Sequence, residues 1–397
     1  MIPADSPRPA VTAEIRGPAK SRNALKAALL LWILPMVVIA ALVIHAPMSH
    51  TVTNGSYHPC AKAWWEGKSL YVGPSGMNYL PHFAILFTPF DLLPYTASEI
   101  VWRWCAALAL ASGLWQLTRE LFPEETDRAF LWATILTVPL SLGALRNGNA
   151  NAIFGGVTLL AIVAIMRKRW WVAAGWMALA VGLKPIGIVL FLLAGIYYVP
   201  LMWRLALAFA GLVVFPFLFA SPAYVQSQFI DAAHNLQQCS AVSEHRFADL
   251  NGILRTFGTE LPPGASTIVR VVSGALTAVL WLWGAWRLRA PWRELWLYAL
   301  AAAYLMVFNP MTEANSYVIV APAFAAWTVG LLFRTDAPRR ALGWVIGAMV
   351  LSMAILPNPL RPLFHNSFAL FWHPAITILF VAVLAWYVAR PQPAPAA

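Results

Sequence analysis

Charge is what this sequence has least of. Only 11% of its 397 residues are Asp, Glu, Lys or Arg, and the acids number 16 against 27 Lys and Arg. Soluble domains carry about 25% charged residues, so an ordinary water-soluble fold is excluded. The shortage of acid is sharpest near the start, where no Asp or Glu occurs between Lys26 and Glu66. The three cysteines, Cys60, Cys105 and Cys239, form no CxxC and no Cys/His spacing. No metal site is therefore expected, and no other feature calls for a cofactor. There is no repeat of fixed period and no stretch that reads as a soluble domain. No A-x-A pattern follows the first apolar run, so that run is expected to stay as a helix and not to be removed as a signal peptide.

What the sequence does contain is apolar: 60% of residues are hydrophobic and the mean hydropathy is +0.66. The expected class is an all-α, polytopic transmembrane helix bundle. Candidate spans run over 26–45, 96–117, 129–146, 152–166, 170–183, 186–200, 205–220, 266–285, 294–308, 316–333, 341–356 and 367–388, about twelve in all. Residues 1–25 are expected to form a disordered cytoplasmic arm, 26–390 the transmembrane domain, and 391–397 a disordered tail. The net charge of +11 does not point to nucleic acid, because the cations cluster in short loops between apolar runs. There they encode orientation and attract membrane lipids. Threading the spans with both termini in the cytoplasm collects the basic clusters on that side, including Arg167, Lys168 and Arg169.

The remaining loops then face outward, and two of them are long, 46–95 and 221–265. In the first, Ala61, Trp64 and Trp65 fall on one helical face opposite Lys62 and Glu66, which reads as an external amphipathic helix at the membrane surface. Pro81 to Pro94 is apolar but too short to cross, and reads as a re-entrant or interfacial helix. Cys60 and Cys239 both lie in outward loops, which leaves a disulfide between them open.

The chain is organised around Ser141 to Val199, where two apolar segments flank the Arg167–Arg169 cluster. Their far ends carry two polar islands, Arg146-Asn147-Gly148-Asn149-Ala150-Asn151 and Lys184-Pro185, which this topology places together on the outer face. A lysine beside a helix-breaking proline is costly inside apolar sequence and needs a partner or a function. The other outward concentrations are Asn54 to His58 with Tyr79 and His82, Asp249 with Asn251, and Glu313 with Asn315 and Tyr317. Each has an ordinary explanation: asparagines cap helices, a terminal lysine snorkels, and a loop glutamate is solvated. Together, two cations ending adjacent helices beside amides and acids suit an anionic head group at the membrane boundary.

These residues lie in segments that resemble the membrane glycosyltransferases of family 87, within the GT-C fold group. The resemblance covers about residues 26 to 330. It rests on AKAWWEGKSLY (61–71), NYLPHFAILFTPFDLLP (78–94), RNGNANAIFGGVTLLAI (146–162) and GLKPIGIVLFL (182–192). FADLNGILRTFG (247–258) and NPMTEANSYVIVAPAFA (309–325) extend it. It implies a GT-C-type bundle in a bacterial inner membrane, with a polyprenyl-phosphate sugar as donor and a lipid or glycan as acceptor. It also implies that Lys184 and Arg146 hold the donor's phosphate. Asn147, Asn149, Asn151, Tyr79, His82, Asn251, Asn315 and Tyr317 would then line the substrate site.

The family places an acid shortly after the first helix as the catalytic base, and Asn54 stands there in this chain. A neutral amide cannot take a proton from an acceptor hydroxyl. The base is then expected to be a neighbour such as His58 or Glu66, or else Glu313 or Asp249. The alternative is that the protein is a catalytically inactive lipid-carrier binder or a transporter.

Overall fold

The structure is a computed structural model that describes residues 22–46, 51–72, 77–239, 247–364 and 367–390. The expected arm up to residue 21 and the tail from 391 lie outside the described residues, and residues 22–25 form the start of the first helix. The helices follow in order as α1 (Arg22–His45), a π-helical turn (Thr53–Tyr57), α2 (His58–Trp65), α3 (His82–Asp91), α4 (Tyr95–Leu121), α5 (Thr126–Asn147) and α6 (Asn151–Met166). Next come α7 (Trp170–Leu183), a 3-10 turn (Pro185–Gly187), α8 (Ile188–Gly195), and α9 (Val199–Val214) continued by a 3-10 turn (Phe215–Leu218). The chain goes on through α10 (Pro222–Cys239), α11 (Leu250–Thr256), α12 (Pro263–Arg287) and α13 (Trp292–Phe308). It ends with a 3-10 turn (Ala314–Ile319), α14 (Ala321–Leu332), α15 (Ala337–Ile355), α16 (Arg361–Phe364) and α17 (Ser367–Ala389).

The hydrophobic pattern of these helices shows what surrounds them. α1 buries Ala24, Ala28, Trp32, Met36, Ile39 and Val43, a stripe at helical spacing. Its opposite face exposes Leu30, Leu34 and Val38. α12 likewise exposes Ile268, Val271, Leu276 and Val279. In water an amphipathic helix turns polar residues outward; here the outer face is as apolar as the inner one, so the surrounding medium is hydrocarbon. Among the described residues, six helical segments are long and apolar enough to cross a membrane, and the protein is an integral membrane protein.

α6 is the centre of the bundle and is buried on almost every side. It crosses α4 closely because both carry glycine at the crossing. A Cβ on Gly156 would lie 2.3 Å from the carbonyl carbon of Ala109, and one on Gly113 would lie 2.8 Å from the Gly156 oxygen. Small residues that let backbones approach take the place of hydrophobic driving force inside a bilayer.

Polar contacts collect at the two ends. At one end Arg167 pairs with Glu120 (2.8 Å) and Gln116 (2.8 Å), and Tyr198 donates to Glu294 (2.8 Å). At the other end, the segment after α2 is clipped to α10. Leu70 N donates to Gln228 (3.0 Å), Ser69 to Asp231 (2.9 Å), and Asn235 to the Met77 carbonyl (3.0 Å). Side-chain hydrogen bonds thus join the two long loops. α10 and α11 lie within what the sequence presents as one long loop. Cys60 is a buried free thiol, and the side chain of Cys239 lies outside the described residues.

Candidate active site at the Lys184 end

The Lys-Pro step builds the site. A residue before proline is pushed out of the α region, and Lys184 is extended, with φ −148° and ψ 126°. α7 therefore stops at Leu183, and Pro185 opens the next turn as its first residue. The lysine is left at the break, where its ammonium donates to Asn151 Oδ1 at 2.5 Å and lies 5.5 Å from the centre of the Tyr79 ring.

From Asn151 an amide relay runs onward. Its Nδ2 donates to Asn315 Oδ1 (3.3 Å) and Ser316 Oγ (3.1 Å), and Asn315 Nδ2 donates to Glu313 Oε2 (3.0 Å). Cation and carboxylate thus share one site with two amides between them, and among the described residues they form no ion pair with each other. Asn149, two residues before α6 begins, accepts from Asn151 N (3.2 Å), while its own Nδ2 is buried with no partner among the described residues. The Tyr57 hydroxyl accepts from Ala150 N (2.9 Å) and lies 3.0 Å from the Tyr79 hydroxyl. Burial pushes the Tyr79 phenol up to about 12; the Tyr57 bond opposes the rise and the charge of Glu313 adds to it. Tyr79 is thus a neutral hydrogen-bonding group near neutral pH.

Behind this loop lies a second polar cluster. Glu99 and Arg103, one turn apart on α4, are each 1% exposed at the side chain and pair at 2.7 Å. Thr53 donates to Glu99 (2.8 Å), and His58 sets Nδ1 against Asp91 (2.6 Å) and Nε2 against Glu99 (3.2 Å). Burial works against the charged imidazole, but the hydrogen bonds to Glu99 and Asp91 outweigh it and hold the His58 pKa above the usual histidine value.

This arrangement argues against the reading of His58 as a general base. Both ring nitrogens are committed to carboxylates, so no lone pair is left to accept a proton from a substrate. Asp249 is an N-cap: its carboxylate accepts from Gly252 N (2.8 Å) and starts α11. Burial raises its carboxyl, and the backbone N–H of Gly252 opposes that rise. Asn251 accepts from Leu261 N (3.3 Å), and the buried Tyr317 hydroxyl donates to the carbonyls of Ala248 (2.7 Å) and Met306 (3.2 Å). His82 is held by the Leu212 carbonyl (2.6 Å) and ties α3 to α9. These residues brace the site's walls and do not enter the relay. Asn54 lies half-buried in the π-helical turn, and Asn147 half-buried at the end of α5. Arg146 ends α5 exposed; its carbonyl accepts from Arg103, but no described hydrogen bond brings its guanidinium to Lys184.

Sequence reasoning gave Tyr57 no role of its own and missed Ser316, Asp91, Glu99 and Arg103. The last two carried a signal, because an i,i+4 acid–base pair inside an otherwise apolar span is expensive unless it is paired and used.

An all-α integral membrane protein with a cation and a carboxylate spaced by amides at one end of its bundle has the groups needed for transfer of an anionic-leaving-group substrate. The chain belongs to glycosyltransferase family 87, whose profile matches residues 78–310, more than half of its length. It is a membrane glycosyltransferase. It is 22% identical over 349 residues to a polyprenol-phosphate-mannose-dependent alpha-(1-2)-phosphatidylinositol pentamannoside mannosyltransferase of Mycolicibacterium smegmatis, covering 81% of each chain. Two crystal structures of ArnT from Cupriavidus metallidurans, one bound to undecaprenyl phosphate and one in the apo state, are each 16% identical to it. Their TM-scores are 0.43 and 0.45, with 92% of this chain and 77% and 76% of those chains covered.

Proposed function

We propose that this chain moves a hexosyl or pentosyl group from a polyprenyl-phosphate sugar to a lipid or glycan acceptor at the outer face of a bacterial inner membrane. The mycobacterial relative's name specifies a polyprenol-phosphate-mannose donor, so mannose is the first sugar to test. The observation that carries the reading is the Lys184–Asn151–Asn315–Glu313 relay. Lys184 neutralises the donor's phosphate, and Arg146, exposed at the end of α5, supplies a second cation. Asn149, whose Nδ2 has no partner among the described residues, offers a further donor to phosphate or sugar. The acceptor hydroxyl attacks the anomeric carbon, the bond to the phosphate oxygen breaks, and Glu313 takes the hydroxyl proton. The leaving phosphate gains negative charge, which the cations stabilise. The basic cluster Arg167, Lys168 and Arg169, between α6 and α7, supports a cytoplasmic side at the opposite end and cytoplasmic termini.

The test is transfer from radiolabelled polyprenyl-phosphate mannose to a membrane lipid extract by the purified full-length protein. Lys184→Ala should lose donor affinity, and Lys184→Arg should lose less because it keeps the charge with a different geometry. Wild-type binding and turnover in Lys184→Ala would leave the lysine as a snorkelling residue and sink the assignment. Asn54 in the first loop supports a second reading, an inert carrier binder. Turnover that appears only in Asn54→Asp would establish it.

A further inference from the structure

We propose that Glu99, Arg103 and His58 are positioning residues for the donor's phosphate, acting through the backbone of the Arg146–Ala150 loop. The proposal rests on the assignment of that phosphate to Lys184 and its amide partners. Arg103 Nη1 donates to the carbonyl (2.9 Å) and carboxylate (2.7 Å) of Glu99, while Nε and Nη2 reach the Arg146 carbonyl at 3.3 and 3.2 Å. The neighbouring Trp102 donates to the Gly148 carbonyl at 2.6 Å. Gly148 has φ +71°, and a Cβ there would stand 2.9 Å from Arg103 Nη2, so glycine serves both the turn and the close approach of the guanidinium. α4 thus grips the loop at two carbonyls. Tyr57, beside His58 in sequence, grips it a third time at Ala150 N. The residues between and after these grips are Asn149 and Asn151, which carry the amides of the Lys184 site. A shift in Arg103 therefore reaches Asn151 through a few residues of backbone.

His58 controls the charge balance of this grip. The groups facing its ring are Asp91 from α3 and Glu99, Ser98 and Tyr95 from α4, with Arg103 beyond Glu99. With His58 protonated, two carboxylates face two cations. Loss of the proton leaves Asp91 without a cationic partner and Glu99 served by Arg103 alone among the charged groups. The raised pKa of the imidazole agrees with the protonated arrangement. A pair that served only to hold the bundle together would alter stability but would not place a pH step in phosphate binding that depends on His58.

The experiment measures undecaprenyl phosphate binding to the full-length protein in detergent over a pH series that rises from the ordinary histidine value of about 6.5, the direction in which a raised pKa is crossed. It compares wild type, Arg103→Lys, His58→Gln and Lys184→Ala. Lysine cannot reproduce the guanidinium fork, so Arg103→Lys should weaken binding about tenfold, the low end of what losing a supporting contact behind a ligand group costs. Wild-type affinity should step down as His58 loses its proton, and His58→Gln should lack that step. If Lys184→Ala binds like wild type, the phosphate lies elsewhere and the underlying site assignment falls. If Lys184→Ala loses binding, the site stands. The positioning role is then refuted either by normal binding in Arg103→Lys or by a wild-type pH step in His58→Gln. Should Arg103→Lys fail to fold, the His58→Gln comparison decides alone.

Discussion

Two polar clusters lie on either side of the same five-residue loop, and they are built differently. Around Glu99 every charge has a near partner: Arg103, His58 and Asp91 close on one another, and Thr53 fills a further valence. Around Lys184 the cation and carboxylate are held apart by Asn151 and Asn315, and Asn149 Nδ2 has no partner among the described residues. A cluster that closes on itself resists change, because removing one member strands the others in low dielectric. A cluster that leaves valences open can take a ligand. On the proposed assignment, the difference separates support from chemistry at one end of the bundle.

Glu313→Gln should break the comparison most visibly. The amide can still accept from Asn315 but cannot take a proton, so turnover should fall by roughly 10²–10⁴-fold while donor binding persists. Near-normal turnover would remove Glu313 from the base position.

Glu99→Ala should act on stability first. Stranding Arg103 in a buried site should cost about 3–5 kcal/mol, read as a lower thermal transition in detergent. Lys184→Gln should cost far less, since Lys184 is half-buried and Asn151 keeps its bonds to Asn315 and Ser316. Equal losses in the two variants would erase the distinction between the clusters.

A pH series sharpens it further. The folded-state pKa of His58 is raised. Its contribution is therefore fully present below the unfolded value of about 6.5 and is lost as pH rises through the folded pKa. The thermal transition of wild type should fall over that window, and His58→Gln should show a flatter profile. A transition that rose with pH only in the wild type would contradict the cluster's charge assignment. The smallest effect is expected from Asp249→Ala, about 0.5–2 kcal/mol of stability, the value of a helix cap. A turnover loss as large as that of Glu313→Gln would return Asp249 to the chemistry.

Most of the architecture was legible in the residues. The apolar run 96–117 became Tyr95–Leu121, and 170–183 became Trp170–Leu183. A segment in hydrocarbon must satisfy its backbone hydrogen bonds internally, so apolar length alone dictates a helix. Lys184-Pro185 announced its break for an equally local reason, the steric demand of proline on the residue before it. The Asn-rich loop and Glu313 were visible as polar islands in apolar sequence. α10 was not visible, because its polar and apolar residues alternate too evenly to give a span-like run.

What only the tertiary structure decided was who partners whom. Asn151 and Lys184 are 33 positions apart, and Asn151 and Asn315 are 164 apart. His58 looked like a base when read alone, and it proved to be enclosed by Asp91 and Glu99 from two other helices. The first loop, poor in acid by sequence, has a carboxylate brought to Thr53 by α4. Apolar periodicity acts along one helix and fixes its length and buried face. Hydrogen bonds and ion pairs act over about 3 Å between helices, so their partners are set by how the helices cross.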